Sequence, residues 1–449
     1  MPKVYIETYG CQMNVADSET VATILQTEGF EISKEIEGVD LILVNTCSVR
    51  ENAENRVFNR LQVFRSYREK KPNLKIGVIG CMAERVQQNL IDNHGVNLVA
   101  GPDSYRKLPE LLEKINIEDK AINVELSTVE TYSGICPTRL ESNGISGFVT
   151  ITRGCNNFCT YCIVPYTRGR ERSRDPEDIL EETRDLFSRG YKELTLLGQN
   201  VNSYLWEPGV ERSNSTQYPH EIKFNQLLEM VAKEVPGMRI RFTTSHPKDM
   251  SDETLTSMSE FDNICNHIHL PMQSGSSDVL KRMNRKYSAE DYKNRIRAIR
   301  KILPGCGLST DVFCGFPGET EDDHRNTLEL MEWAGFDSAF MFKYSERPGT
   351  YAAKHLTDDI PEEVKGKRLQ DIIKLQKSLS IKSNNNDLNK VFEVLVEGTS
   401  KKSDQDLFGR TMENKVVVFP KMDFSPGDLV KVKVCSSTSA TLLGEVVLD

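Results

Sequence analysis

Apolar runs and amphipathic stretches alternate along the first part of the chain. A continuous apolar run such as residues 41–44 is typical of a strand buried in a parallel sheet, and an apolar residue at every third or fourth position is typical of a helix. The pattern predicts strands at 3–8, 40–45, 75–80 and 96–100, with helices at 16–28, at 50–70 and up to residue 92. Strands that alternate with helices indicate an α/β domain with a mainly parallel sheet, which we assign to residues 2–118.

The same alternation returns after a polar linker at residues 119–140, where we also expect an edge strand. Further strands are predicted at 148–152, 193–197, 239–244, 267–270, 308–314 and 338–344, separated by helices such as 176–189 and 289–302. Six such strand–helix units predict a (βα)6 partial TIM barrel over residues 141–372, with its chemistry at the C-terminal ends of the strands. The polar insert at 206–220 is long for a connection, and we interpret it as a substrate loop.

The period of the pattern changes to two near the C-terminus. After a helix near 361–380 and the polar segment 383–387, strands are predicted at 391–396, 415–419, 428–434 and 442–448. This alternation predicts a small all-β barrel, which we assign to residues 375–449. The fold class is therefore α/β, with an N-terminal parallel domain, a central partial barrel and a C-terminal β-barrel.

Charge and composition change this picture only locally. The 449 residues carry a net charge of −9, which by itself disfavours nucleic acid as a partner. Residues 56–75, 168–174 and 281–301 are nevertheless rich in lysine and arginine, so we consider a local surface for a polyanion. No apolar run is long enough to cross a bilayer, and no basic start with a following apolar stretch opens the chain. We therefore expect a cytoplasmic protein without a membrane partner.

Three cysteines lie in one loop directly after the first predicted barrel strand. Cys155, Cys159 and Cys162 have the spacing C-x3-C-x2-C. Three thiolates this close can bind three irons of a cubane cluster and leave the fourth iron open for a substrate or cofactor. A zinc site is the alternative, but it requires a fourth ligand, and no histidine or cysteine follows within the next few residues.

Cys11, Cys47 and Cys81 share one position relative to the predicted strands of the first domain. Each follows a strand and precedes a helix. Because the C-terminal ends of parallel strands lie along one edge of a sheet, the three thiols can converge on a second cluster, and the helix N-termini would lower their pKa values. Buried inert cysteines are the alternative. The other cysteines show no such spacing and are assigned to packing: Cys136, Cys265, Cys306, Cys314 and Cys435.

With these residues in place, the chain resembles the radical S-adenosylmethionine methylthiotransferases, most closely their tRNA-modifying branch, over nearly its whole length. The segments that carry the resemblance are 8–14 (TYGCQMN), 17–19 (DSE), 45–50 (NTCSVR), 80–83 (GCMA), 153–165 (RGCNNFCTYCIVP), 197–203 (LGQNVNS), 270–275 (LPMQSG), 315–320 (GFPGET) and 344–350 (YSERPGT). The C-terminal module, with 409–414 (GRTMEN), resembles the TRAM domain, an RNA-binding β-barrel.

The resemblance implies two [4Fe–4S] clusters and S-adenosylmethionine as cofactors. Cys155, Cys159 and Cys162 are then the ligands of the radical cluster, and Cys11, Cys47 and Cys81 those of an auxiliary cluster that carries the inserted sulfur. The residues expected around S-adenosylmethionine are Tyr161, Gly198, Gln199, Gln273, Asp311, Gly315, Phe316, Pro317 and Gly318. The glycines of the last segment would let the backbone approach this ligand.

The implied activity is methylthiolation at C2 of N6-dimethylallyladenosine at position 37 of tRNA. One S-adenosylmethionine would methylate the sulfur, and a second would give the 5′-deoxyadenosyl radical that takes the hydrogen from C2. An aromatic C–H at this position has no usable acidity, so a cofactor radical is needed in place of acid–base residues. The implied partners are the anticodon stem-loop of tRNA, an electron donor and a sulfur or cluster supplier, and we expect a monomer.

The acidic β-barrel weakens the expectation that it is the main RNA-binding surface. We therefore assign RNA contact to the arginines near the radical loop: Arg168, Arg170, Arg172 and Arg174. On this hypothesis, charge reversal of Arg172 and Arg174 weakens tRNA binding and leaves the cluster content intact.

Three alternatives stay open at the level of the sequence. Siblings of the family act on an aspartate of a ribosomal protein or on threonylcarbamoyladenosine in tRNA, and neither the order of domains nor the cysteine spacing separates them from the main hypothesis. A protein of another class, a non-catalytic RNA-binding protein with zinc or a cluster, would give a similar cysteine pattern.

Overall fold

The structure is a computed structural model and describes residues 1–47, 51–140, 143–209 and 218–447. Its N-terminal domain is built around a parallel sheet. The strands are β1 (Lys3–Tyr9), β2 (Glu31–Ser33), β3 (Leu41–Thr46), β4 (Lys75–Ile79), β5 (Leu98–Ala100) and β6 (Ala121–Asn123). The helices are α1 (Gln12–Thr27), α2 (Glu51–Lys70), α3 (Cys81–Val86), α4 (Gln88–His94) and α5 (Leu108–Glu118).

The strands of this sheet lie in the order β2-β1-β3-β4-β5-β6, and all the pairs are parallel. Strand β3 is buried at every position, because apolar clusters cover both faces of the sheet. The edge strand expected after residue 118 is β6, which pairs with β5.

The central part alternates strands and helices as the sequence pattern predicts. Its strands are β7 (Ser146–Thr150), β8 (Thr152–Arg153), β9 (Arg172–Ser173), β10 (Glu193–Leu197), β11 (Leu205–Trp206), β12 (Ile222–Lys223), β13 (Arg239–Thr243), β14 (His267–His269), β15 (Gly307–Cys314) and β16 (Ser338–Lys343). Its helices are α6 (Val164–Thr167), α7 (Pro176–Ser188), α8 (Phe224–Glu234), α9 (Asp252–Glu260), α10 (Ser277–Arg282), α11 (Ala289–Ile302), α12 (Glu321–Ala334), α13 (Tyr351–His355) and α14 (Glu362–Asn385).

The parallel strands of this part form an open arc. One sheet has the order β13-β10-β7 and the other the order β14-β15-β16. A parallel bridge joins Ile240 of β13 to Ile264, in the segment that leads into β14. Strands β7 and β16 are the outer strands of the arc. The predicted partial barrel is thus confirmed, and its main apolar core lies between the strands and the surrounding helices.

The C-terminal part is a closed barrel. Its strands are β17 (Val391–Thr399), β18 (Asp406–Arg410), β19 (Val416–Pro420), β20 (Leu429–Ser437) and β21 (Leu442–Val446), in the order β17-β18-β19-β21-β20. The strand β18, which the sequence pattern did not predict, pairs with both β17 and β19. Helix α14 runs without interruption through the expected domain boundary at residues 372–375.

The C-terminal barrel closes the lower end of the partial barrel, where the strands begin. Arg239 at the start of β13 donates hydrogen bonds to the carbonyl oxygens of Arg410 (2.9 Å) and Glu393 (3.0 Å). Arg241 donates to the carbonyl oxygens of Thr411 (2.8 Å) and Met412 (3.2 Å). In the part of the chain that the structure describes, no helix has the length and apolar character needed to cross a bilayer.

Candidate functional site

The three cysteines of the N-terminal domain lie at one edge of its sheet. Cys11, Cys47 and Cys81 follow β1, β3 and β4, which are neighbours in the sheet. Gly10 has φ of +137°, and a β-carbon at this position would meet Cβ of Cys47 at 2.6 Å. A glycine is therefore needed before Cys11 for the first two cysteines to approach each other.

The pKa values of these thiols shift in different directions. A hydrogen bond with Cys47 and the nearby guanidinium of Arg168 lower the pKa of Cys11 to about 6, and partial desolvation of the thiol opposes them. Burial raises the pKa of Cys81, although Cys81 stands at the N-terminus of a helix. For Cys81 the shift is opposite to the one expected from a helix N-terminus, and desolvation is its largest cause.

An amide network that the sequence analysis did not assign supports this edge. Asn14 accepts a hydrogen bond from the Cys11 thiol (Sγ to Oδ1, 3.3 Å) and donates one to Oδ1 of Asn45 (3.0 Å). Asn45 donates in turn to the carbonyl oxygen of Asn14 (2.8 Å) and to the hydroxyl of Ser18 (2.9 Å). The only signal in the sequence is that both asparagines lie within a few residues of a cysteine.

The second group of cysteines lies in the loop after β7 and β8. Cys155 and Cys159 are buried and Cys162 is partly exposed. The backbone amide of Cys162 donates to the carbonyl oxygen of Cys159 (3.0 Å), so a tight turn holds these two together. Burial raises the pKa of Cys155 to about 11 and that of Cys162 to about 12. Thiolates at these positions therefore require a positive charge close by, such as that of iron.

One buried arginine donates to a thiol in each group. Arg168 Nε lies 3.1 Å from Sγ of Cys81, and Arg285 Nη1 lies 3.3 Å from Sγ of Cys159. Both guanidinium groups are buried, and neither contact was expected from the sequence. Hydrogen bonds to cluster sulfurs tune iron–sulfur sites, so these arginines suit the surroundings of a cluster.

Three of the four arginines that follow the loop of Cys155, Cys159 and Cys162 do not lie on a surface open to RNA. Arg168, Arg172 and Arg174 are only 3%, 7% and 6% exposed. Their partners are carboxylates: Arg168 pairs with Asp17 (2.7 Å) and Arg172 with Asp103 (2.8 Å), both distant in sequence, and Arg174 pairs with Glu182 of the following helix α7. The expected RNA contact of these three residues is therefore wrong. Arg168 and Arg172 join the core to the N-terminal domain, and Arg174 pairs with helix α7 of the core itself. Arg170 is exposed, and its RNA contact stays a prediction.

Other buried ion pairs reinforce the same interface. Arg153 pairs with Asp17 (2.8 Å), so that two arginines of the core share one carboxylate of α1. Arg139 bridges Glu19 of α1 and Glu182 of α7, at 2.8 Å from each. The N-terminal cysteine edge is thereby fixed against the C-terminal ends of the barrel strands.

A cavity of about 900 Å³ occupies the open barrel and brings the two cysteine groups to one space. Cys11 and Cys162 both line its upper part, one from each group. Arg410 and Asn414 of the C-terminal barrel line its lower end. Both cysteine groups therefore open onto one cavity.

The residues expected around S-adenosylmethionine divide into two sets. Tyr161, Gln273 and Asp311 line the cavity, and Oε1 of Gln273 is buried without a hydrogen-bond partner. Oε1 of Gln199, next to Gly198 at the end of β10, is also buried and without a partner. Such groups are available to a polar ligand.

The turn after β15 is not part of the cavity wall. The side chain of Lys365 occupies the space where a β-carbon of Gly315 would lie, and that of Arg282 approaches Gly318. Phe316 is fully buried in an apolar cluster with Tyr344, and Pro317 is buried beside it. Phe316 contacts the cavity only indirectly, by packing against Tyr161 with the two ring centroids 6.4 Å apart.

Each cysteine group supplies three thiols, the donor set that a cubane cluster with one open iron requires. Among the described residues, no three histidine, cysteine or acidic side chains are close enough to hold one ion. The cysteines of a cubane bind different irons and do not have to share one. The remaining cysteines fit their assignment to packing only in part, because Cys265 and Cys314 are buried whereas Cys136 and Cys435 are exposed.

The insert interpreted as a substrate loop is described only at its ends. Strands β11 and β12 pair across its base, between Trp206 and Ile222. Residues 210–217 lie outside the described residues.

Models of known families match the three parts of the chain. The radical SAM superfamily matches residues 149–331, the uncharacterized protein family UPF0004 matches residues 3–101, and the TRAM domain matches residues 387–447.

Curated relatives match the chain over its full length. The tRNA-2-methylthio-N(6)-dimethylallyladenosine synthase of Bacteroides fragilis is 58% identical over 447 residues, which are 100% of this chain and 96% of that protein. The proteins of the same name from Parabacteroides distasonis and Porphyromonas gingivalis are 60% and 56% identical, and each match covers 99% of this chain and 95% of the relative.

Solved structures share the fold at low sequence identity. The radical S-adenosylmethionine methyltransferase TsrM from Kitasatospora setae has a TM-score of 0.56 at 14% identity, with 76% of this chain and 73% of that chain covered. The cobalamin-dependent radical enzyme OxsB has a TM-score of 0.55 at 15% identity, with 84% and 56% covered. These matches support the arrangement of an α/β domain on a partial barrel.

Proposed function

Because this chain belongs to the tRNA methylthiotransferases of the radical S-adenosylmethionine superfamily, we propose that it methylthiolates C2 of N6-dimethylallyladenosine at position 37 of tRNA. One observation carries the proposal: Cys11 and Cys162, from two separate cysteine groups, line the same cavity. A reaction that replaces a C–H bond by a C–S bond needs hydrogen removal and sulfur delivery at one carbon atom. A cavity open to both groups meets this requirement.

Membership of the superfamily implies S-adenosylmethionine and [4Fe–4S] chemistry, and we assign two clusters to this chain. Cys155, Cys159 and Cys162 would hold one of them, and Cys11, Cys47 and Cys81 the other. Bound there, the clusters and S-adenosylmethionine would supply a carbon-centred radical for hydrogen abstraction and the sulfur that is inserted.

The residues of the chain orient these groups and keep water away. Tyr161, Gln273 and Asp311 offer an aromatic face, an unpartnered amide oxygen and a carboxylate to S-adenosylmethionine. Arg168 and Arg285 hold the sulfur atoms of Cys81 and Cys159 by N–H donation. The C-terminal barrel closes the lower end of the cavity, which limits access of solvent from that side.

The target base reaches the cavity only if it leaves the stack of its RNA. Unstacking costs less in a single-stranded anticodon loop than in a duplex, which favours the anticodon stem-loop as the partner. We expect the reaction in the cytoplasm, by a monomer that also requires an electron donor and a supplier of sulfur.

Iron analysis tests the assignment of the clusters. Two [4Fe–4S] clusters require about eight irons per chain, and a Cys11→Ala, Cys47→Ala, Cys81→Ala variant should retain about half of that iron. A protein that contains zinc instead, or a triple variant with unchanged iron, contradicts the assignment.

Product analysis tests the substrate. Reconstituted enzyme should add a methylthio group to tRNA that carries N6-dimethylallyladenosine, as detected by nucleoside mass spectrometry. The same assay with threonylcarbamoyladenosine tRNA and with ribosomal protein distinguishes the sibling activities. Modification of one of these instead of the dimethylallyl substrate would assign the chain to that sibling.

A further inference from the structure

Three phenylalanines form one apolar surface inside the cavity. Phe313 lies on β15, and Phe340 and Phe342 lie on the neighbouring outer strand β16. In the parallel pairing of these strands, Phe313 stands opposite Phe342 and Asp311 opposite Phe340. Residues two apart on a strand point to the same side, so the three rings share one face. We call these three residues the aromatic wall.

The aromatic wall is an apolar surface without a full cover in the protein. Phe340 is 56% exposed, and Phe313 and Phe342 are partly exposed. Two rings of the wall, those of Phe313 and Phe342, have centroids 5.7 Å apart. Large exposed apolar side chains inside a cavity are typical of a surface that binds an apolar ligand group.

The wall lies beside the reaction centre but not on it. The ring of Phe313 is 5.1 Å from that of Tyr161, which directly precedes Cys162. Phe340 is further down the cavity, with its ring 5.8 Å from that of His269. In adenine, C2 and C6 are separated by N1, so the C2 hydrogen and the N6 substituent project from the ring in different directions. A base with C2 between Cys11 and Cys162 therefore directs its N6 substituent away from both cysteines, into the cavity.

We propose that the aromatic wall binds the dimethylallyl group of the target adenosine and so selects this substrate. The inference rests on the proposed function. The dimethylallyl group is a branched five-carbon chain without polar atoms, which matches a surface of phenyl rings. The carboxylate of Asp311 opens onto the same face, with Oδ2 3.6 Å from Nε2 of His269. A substituent that carries its own carboxylate, such as threonylcarbamoyl, is disfavoured beside it.

The test measures coupling between the wall and the dimethylallyl group. Two anticodon stem-loop RNAs, with N6-dimethylallyladenosine or with plain adenosine at position 37, are titrated against cluster-loaded wild type and the variants Phe340→Ala and Phe340→Leu. Wild type should bind the modified RNA about tenfold or more tightly than the plain RNA, as expected for burial of an apolar group of this size. In Phe340→Ala this preference should fall close to one, whereas Phe340→Leu should retain most of it.

Phe187→Ala is the matched control, because Phe187 is 45% exposed and lies on α7, outside the cavity wall. It should leave the preference unchanged. The proposal is overturned if wild type shows no preference, or if Phe340→Ala weakens the binding of both RNAs to the same extent. Formation of the methylthio product by wild type is scored separately. If wild type forms the product but its preference for the modified RNA does not depend on Phe340, only the role of the aromatic wall is refuted. If the preference depends on Phe340 but no product forms, only the proposed function is refuted.

Discussion

Arg168 belongs to the barrel by sequence and to the N-terminal cysteine edge by contact. It follows the radical loop, yet its guanidinium donates to Sγ of Cys81 and pairs with Asp17. A single buried side chain thus connects the loop of one cysteine group with a cysteine of the other. A charged group at this depth is tolerated only because both of its partners compensate the cost of desolvation.

Replacement of Arg168 by lysine should loosen the N-terminal cluster. A lysine keeps the charge, but its single ammonium cannot reproduce the two-sided contact of the guanidinium. We expect iron to be lost to a chelator about tenfold faster, or more, as is typical when the partner of a metal ligand is removed. The visible and electron paramagnetic resonance spectra of the cluster should change as well.

Arg172→Lys is the control for this variant. Arg172 is also buried and also pairs with a carboxylate of the N-terminal domain, that of Asp103. In contrast to Arg168, it donates its hydrogen bonds to oxygen atoms and not to a cysteine sulfur. Equal iron loss in both variants would indicate a general opening of the interface and would remove the specific role of Arg168.

At the scale of elements, helix α14 determines the shape of the turn after β15. The aliphatic part of Lys365 fills the space above Gly315, and its ammonium pairs with Asp358 (2.6 Å). From the sequence, this glycine was expected to give backbone access to a ligand. In the structure the space is taken by a helix from the C-terminal end of the core, so the glycine serves packing between elements.

Gly315→Ala should therefore destabilise the protein more than an alanine at a comparable open position. Gly305 has a similar φ, +81° against +71°, but nothing lies within 4 Å of a β-carbon there. In both variants an alanine in the left-handed backbone region lowers the free energy of unfolding. Gly315→Ala additionally displaces Lys365, which should lower it by about 1–3 kcal/mol more. Urea denaturation measures the difference. Equal unfolding midpoints of Gly315→Ala and Gly305→Ala would show that Lys365 and α14 shift without loss of stability.

At the scale of the whole molecule, arginines of the core hold both neighbouring domains. Arg153, Arg168 and Arg172 bind carboxylates of the N-terminal domain above the barrel. Arg239 and Arg241 bind carbonyl oxygens of the C-terminal barrel below it. The walls of the cavity come from all three parts of the chain as a result.

Arg239→Met should loosen the C-terminal barrel without unfolding the core. It removes charged hydrogen bonds to Arg410 and Glu393, each worth roughly 1.5–3 kcal/mol. Hydrogen exchange of the amides at residues 409–414 should accelerate by about tenfold or more, given that about 1.4 kcal/mol corresponds to a factor of ten. Arg295→Met, which breaks the pair with Asp252 on the core surface, should leave these amides unchanged. Acceleration in both variants, or in neither, would contradict the role of Arg239 at this contact.

Local sequence patterns were sufficient to predict the fold class and to identify the two cysteine groups as candidate cluster ligands. Strand β10 is at the predicted residues, 193–197, because a strand that is buried at every position gives a run rich in apolar residues, here ELTLL. Helix α14 passes through an expected domain boundary, since a continuous helix can belong to two packed units. Strand β18 was missed because its short run DLFGR does not alternate clearly in polarity.

The sequence by itself determined the order of strands and helices, the two cysteine groups and the family, because each of these depends on short local segments and on where those segments stand relative to the strands. Only the tertiary structure decided which charges are buried. Arg168, Arg172 and Arg174 look like a basic surface in sequence, and they are buried because Asp17 and Asp103 come from distant segments and Glu182 from the helix that follows. The same holds for the aromatic wall, whose rings face one cavity only after β15 and β16 pair in register. Long-range pairing depends on packing in three dimensions, and a periodic pattern along one chain does not contain that information.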